Sequence, residues 1–140
     1  MNVLVAEKSI MSNVSAKLYD EERTVDSLYI EPELKSFASS FGKKSDLSLT
    51  YVLSRIIEFC VQNESKILVD RNMLEDKISK KGSKTTVRVK KDIYTSFTKY
   101  IDQIETSRSA YLNMVLRKMY EEQEVSSEFS TNFLEKILFA

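Results

Sequence analysis

Between Lys77 and Lys91 the chain carries Lys77, Lys80, Lys81, Lys84, Arg88, Lys90 and Lys91, with no acid among them. Cations at that density are chemistry for anions, phosphate above all. A solvated linker has the same look, so the pattern around the cluster has to decide between the two. Other chemistry is thinly supplied. The sequence contains no His, which removes the usual general base near neutral pH and leaves only carboxylates for a zinc site. The lone Cys60 has no disulfide partner in the chain and lies on an apolar stripe, where a small core residue is the simpler reading. With two glycines there is no Walker loop and no dinucleotide fingerprint. No catalytic residue, no metal ligand and no cofactor is therefore expected, and the protein is not expected to be an enzyme.

The cluster sits in a chain of 140 residues whose formal net charge is zero, with 42% apolar and 30% charged residues. That is enough hydrophobe for a core. The balance hides an asymmetry: residues 1–70 carry 8 basic and 11 acidic side chains, residues 71–140 carry 13 and 10. With one Pro and two Gly, tight turns are scarce, which favours helices over a β-sandwich. No signal-like apolar run opens the chain and none is long enough for a membrane span, so a cytoplasmic location and no membrane partner are expected.

The cluster leads into a pattern. In Lys84-Thr-Thr-Val-Arg-Val-Lys90, residues Thr85, Val87 and Val89 alternate with Lys84, Thr86 and Arg88, as in a short strand with one apolar face. Asp92 then opens a stripe of Ile93, Phe97, Tyr100, Ile101 and Ile104 at helical spacing. Glu105-Thr106 breaks it, and Ser107 is placed to cap a second helix carrying Ala110, Leu112, Val115, Leu116 and Met119 on its buried side.

This strand–helix–helix segment, Thr85 to Tyr120, resembles the ribbon-helix-helix (Arc/MetJ-type) DNA-binding family. The resemblance is carried by Thr-Val-Arg-Val in the strand, Asp92-Ile93, and Ser107-Arg-Ser-Ala-Tyr-Leu-Asn-Met-Val-Leu116. A departure is Glu105-Thr106, where the family often has Gly, so the turn between the helices is expected to be built differently. An earlier copy of the pattern emerges on shifting the sequence by 59 residues: Ser27–Ile30 falls on Thr86–Val89, Glu33-Leu34 on Asp92-Ile93, and Ser48–Ile57 on Ser107–Leu116. There Pro32 suits a first helical turn, Leu34, Ala38 and Phe41 form one stripe, Leu49, Leu53, Ile56, Ile57 and Cys60 the next, and Gly42 lies near the family's glycine position.

The expected fold is mainly α with a short two-stranded antiparallel β-ribbon, built as tandem ribbon-helix-helix units with flanking helices. The expected boundaries are an N-terminal helical extension over 1–22 (Ile10, Val14, Leu18), a first unit over 23–63, a linker with a short helix and the basic run over 64–83, a second unit over 84–122, and an amphipathic C-terminal helix over 123–140 (Phe129, Phe133, Leu134, Ile137, Leu138). A lone unit leaves its strand unpaired and its helices uncovered, so pairing is obligatory, either as an intramolecular pseudo-dimer or as a homodimer.

The resemblance implies double-stranded DNA as partner, with the ribbon in the major groove. It implies base reading by Lys84, Thr86 and Arg88; at the matching positions of the first copy stand the uncharged Val25, Ser27 and Tyr29, and that half either reads bases through them or is a scaffold that only completes the ribbon. It implies phosphate binding at the start of the second helix by Ser107, Arg108 and Ser109, with Ser48 in the first copy, and Lys81, Lys90 and Lys91 add cations nearby. The function so implied is a nucleoid-associated transcriptional repressor of a plasmid, phage or archaeal virus. The alternatives are a plasmid partition or relaxosome accessory protein, and an antitoxin-like autoregulator whose C-terminal helix binds a protein partner.

Overall fold

The computed structural model describes residues 22–44, 46–74 and 82–125, with side chains as far as 121. The expected N-terminal helix, the C-terminal helix from 126 onward, and Lys77, Lys80 and Lys81 lie outside the described residues.

The described chain is mainly helical with one two-stranded antiparallel ribbon. Its order is β1 (Arg23–Ile30), α1 (Pro32–Lys44), α2 (Leu49–Gln62), a single turn α3 (Arg71–Leu74), β2 (Ser83–Lys90), α4 (Lys91–Gln103) and α5 (Arg108–Val125). Local chemistry sets the starts. Pro32 is the first residue of α1, where its missing N–H is no loss. Ser48 Oγ accepts from the Tyr51 amide at 3.1 Å, and Ser107 Oγ from the Ala110 amide at 3.1 Å, so both second helices are capped by serine. Asp70 Oδ1 caps α3 by accepting from the Asn72 and Met73 amides.

The offset of 59 residues found in the sequence recurs in the architecture. It carries the first and last residues of α1 onto those of α4, and the first residue of α2 onto that of α5. It also carries Asp46, at φ 59°, onto Glu105, at φ 56°. Both turns close alike: Leu47 N–H donates to Gly42 O, Asp46 N–H to Lys43 O, Thr106 N–H to Ile101 O and Glu105 N–H to Asp102 O. This is a Schellman-type end with a non-glycine residue in the left-handed conformation. Near the family's glycine position, Gly42 does not itself fill that conformation in the first copy. It lies within α1, where a Cβ would stand 2.6 Å from Leu47 O, so its role is close approach of the turn backbone.

β1 pairs with β2 inside the one chain, with Ser27 opposite Thr86 and the pairs running out to Arg23–Lys90 and Ile30–Ser83. Ser27 and Thr86 are themselves related by the 59-residue shift, so the internal two-fold of the repeat passes through the centre of the ribbon. The inner face supplies Leu28, Ile30, Val87 and Val89, all buried, to a core completed by Leu34, Leu53, Ile56 and Ile57 from the first hairpin and Phe97, Ile101, Leu112, Met114 and Leu116 from the second.

The outer edges of the ribbon are not left to water, because each is bonded by the second helix of the opposite repeat. Ser54 Oγ, on α2, accepts from the Arg88 amide at 2.9 Å. On α5, Ser109 Oγ accepts from the Tyr29 amide at 3.0 Å, while Asn113 donates to Tyr29 O at 2.8 Å and accepts from the Glu31 amide at 2.9 Å. The two repeats are thus interlocked, each covering the strand edge of the other.

Candidate nucleic-acid interface

Alternation along a strand sends successive side chains to opposite faces, and the inner face is spoken for by the apolar residues. The outer face therefore carries Val25, Ser27 and Tyr29 from β1 and Lys84, Thr86 and Arg88 from β2. They stand as three cross-strand pairs: Val25 with Arg88, Ser27 with Thr86, and Tyr29 with Lys84. All six expected base-reading positions share this one surface. Val25 and Tyr29 are 53% and 43% exposed, values that set them apart from the buried large residues and place apolar atoms in water beside the two cations. Lys84 and Thr86 are exposed and Arg88 is half-buried. Nearly all the positive charge comes from β2, so the face is chemically one-sided although the backbone is pseudo-symmetric.

The start of α5 flanks this ribbon along β1, as the hydrogen bonds of Ser109 and Asn113 show, and α2 flanks it along β2 through Ser54. The first amides of a helix lack intrahelical partners and the dipole is positive there, so each flank offers groups suited to an anion. The proposed phosphate contacts are differently placed within these flanks. Ser48 and Ser107 are exposed at the helix starts. Ser109 instead spends its hydroxyl on the strand edge. Arg108 reaches back to Asp26 at 2.5 Å and hydrogen-bonds the Tyr94 hydroxyl, with its guanidinium 5.9 Å from the Tyr94 ring centre. Lys90 and Lys91 are exposed where β2 passes into α4, and Lys91 meets Glu22 in an ion pair that is open to water and screened by it.

The Asp26–Tyr94–Arg108 cluster joins β1 to both helices of the second repeat. Tyr94 donates to Asp26 Oδ2, and its hydroxyl is pushed up to about 12, first by burial and then by that carboxylate. A phenol whose pKa rises on folding gives its full stabilisation below the unfolded value of 10.0 and loses it as pH climbs through the folded value. Stability is expected to fall between pH 10 and 12, and Tyr94→Phe to make that fall shallower. Urea midpoints across this range check it; an identical slope in the variant contradicts the assignment.

Four contributors were missed at the sequence level: Asp26, Tyr94, Ser54 and Asn113. Asp26 left no signal, being one more polar residue in a strand. Ser54 and Asn113 did leave one, since each interrupts an apolar helix segment at the same position of its repeat. Among the described residues no cluster of His, Cys, Asp and Glu is arranged to hold a metal, and no helix is long and apolar enough to cross a membrane. Comparison of the chain with family models, curated proteins and solved structures returned no match.

Proposed function

We propose that this protein is a sequence-specific double-stranded DNA-binding regulator of the ribbon-helix-helix kind, a repressor that inserts the outer face of its β-ribbon into the major groove. The observation that carries this reading is the gathering of Lys84, Thr86, Arg88, Val25, Ser27 and Tyr29 on one solvent-facing ribbon surface. A two-stranded ribbon fits a groove about 12 Å wide. Arg88 is the residue suited to bidentate bonding with guanine O6 and N7, Lys84 to guanine or phosphate, and Thr86 to a base edge or a thymine methyl. Tyr29 and Val25 offer apolar contact, and Ser27 a hydroxyl. The starts of α2 and α5 lie along the two flanks of the ribbon, where the phosphate backbones would run, and Lys90 and Lys91 add attraction without sequence preference.

Because the ribbon joins two different strands of one chain, the two sides of the contact are unequal. The target on this reading is a non-palindromic site, one part met by Arg88 and Lys84 and the other by neutral side chains. Repression follows from occupancy of such a site in the nucleoid; the regulated genes on this reading are those of a plasmid or a virus.

Selection from a randomised duplex pool tests the proposal. The wild type is expected to enrich a short asymmetric motif, and Arg88→Ala to relax the preference at one base position, costing about 1–3 kcal/mol there. A wild type that enriches no motif contradicts the reading.

A further inference from the structure

A groove of about 490 Å³ lies on the other side of the molecule's chemistry, between α1 and the end of α5, walled by Ser36, Phe37, Ser40, Phe41, Lys44 and Tyr120. Phe37 and Tyr120 form its floor edge to face, ring centres 5.5 Å apart at 87°. None of the ribbon's outer residues takes part.

Its counterpart in the other repeat differs at the positions of Phe37 and Ser40. The 59-residue offset puts Ser96 in place of Phe37, Lys99 in place of Ser40, and Val61 in place of Tyr120. Ser96 and Lys99 are exposed. Phe41 keeps an aromatic counterpart in Tyr100 and Tyr120 an apolar one in Val61, so what the first repeat alone carries is the aromatic ring at Phe37, where the other has an exposed serine. An aromatic groove with Glu33, Ser40 and Lys44 on its rim is suited to an amphipathic helix.

The path of the chain selects the occupant. Glu31, just before α1, is bonded by Asn113 and Arg117, and Phe37, later in α1, meets Tyr120, so α1 and α5 advance in the same sense. Past Tyr120, α5 therefore continues towards the end of α1 that carries Phe41 and Lys44. At the other end of the described chain, Glu22 pairs with Lys91 at the start of α4. After Val125 the sequence gives Ser126-Ser127-Glu128, a polar stretch able to turn, and then Phe129, Phe133, Leu134, Ile137 and Leu138 on one helical stripe. Twelve residues from Phe129 to Ala140 would span about 18 Å as a helix, close to the roughly 20 Å of α1.

We propose that residues 126–140 fold back onto this groove, with Phe129 and Phe133 seated against Phe37, Phe41 and Tyr120, so that the chain covers its own aromatic face. The inference is independent of DNA binding.

Lys136 is the one trypsin site in the tail and reports whether it is docked. In the full chain, cleavage after Lys136 is expected to be slow, and to accelerate at least tenfold in Phe37→Ser, a change that installs the residue the other repeat carries at this place. Phe129→Ser with Phe133→Ser, which leaves the groove untouched, is expected to give the same acceleration. Nuclear Overhauser contacts between the tail and the Phe37 and Tyr120 rings, measured with a mixture of labelled and unlabelled chains, are expected within one molecule. Unchanged cleavage in the tail variant overturns the proposal. So do contacts seen only between molecules, which would make the occupant a second copy. So does an absence of contacts, which would leave the groove to a different partner.

Discussion

Asn113→Ala should destabilise the protein by about 2–4 kcal/mol, out of proportion to the few atoms removed. Asn113 is completely buried, and its amide is fully employed: it donates to Tyr29 O and Ser109 O and accepts from the Glu31 amide. Truncation leaves a donor and an acceptor on the edge of β1 with no partner and no water, and such groups cost about 1–3 kcal/mol each. The loss falls at the joint between repeats, because Asn113 belongs to the second repeat and Tyr29 and Glu31 to the first. Urea denaturation of wild type and variant checks it, and a loss below about 1 kcal/mol would mean that the strand edge is not held this way.

Glu58→Arg is the second large effect, expected at about 3–5 kcal/mol. The Glu58 side chain is 6% exposed and sits between Arg23 at 3.0 Å and Arg55 at 2.7 Å. Reversing its sign gathers three guanidinium groups with no carboxylate to offset the cost of burying them. Adding Arg23→Glu should return part of the loss, and a double-mutant cycle measures how much. No coupling between the two positions would contradict the assignment of Glu58 as the ion that organises this end of the ribbon.

The same site explains why the two repeats pair with each other. The 59-residue offset relates Glu58 to Arg117, and Glu31 to Lys90. Arg117 bonds Glu31, and Glu58 lies at the opposite end of the ribbon, where Arg23 stands across from Lys90. Two first repeats pairing in the same geometry would bring Glu58 towards Glu31, and two second repeats would bring Arg117 towards Lys90. Both arrangements oppose like charges, which is a recognised way to exclude wrong partners. The charge reversal between repeats thus supports a single-chain ribbon and, with it, the chemically unequal outer face.

Much of this architecture was legible in the residues. The alternation of Thr85, Val87 and Val89 with Lys84, Thr86 and Arg88 has one physical solution when one side must be buried, and the stripe through Phe97 and Ile101 likewise. Ser48 and Ser107 mark helix starts because a hydroxyl before an apolar stripe has few other uses. Less was legible where the decisive partner is distant in sequence. Nothing local tells that Arg108 turns to Asp26, that Ser109 is spent on the Tyr29 amide, or that Tyr111 to Leu116 is buried without interruption. That last run packs on several sides at once, which erases the stripe that periodicity detects. The role of Gly42 was hidden for a related reason. Gly42 is required by the backbone of Leu47 folding over it, whereas the left-handed turn falls to Asp46.

The central claim is that the outer face of the ribbon is the surface that meets DNA. Amide chemical-shift mapping of the full chain, titrated with the duplex motif enriched by selection, or with mixed-sequence duplex if none emerges, addresses it most directly. The account predicts perturbations confined to Val25, Ser27, Tyr29, Lys84, Thr86 and Arg88 and to the first turns of α2 and α5, weakening steeply with salt at a slope near −0.9 per phosphate contacted. Perturbations centred elsewhere on the molecule, or none at low salt, would contradict it.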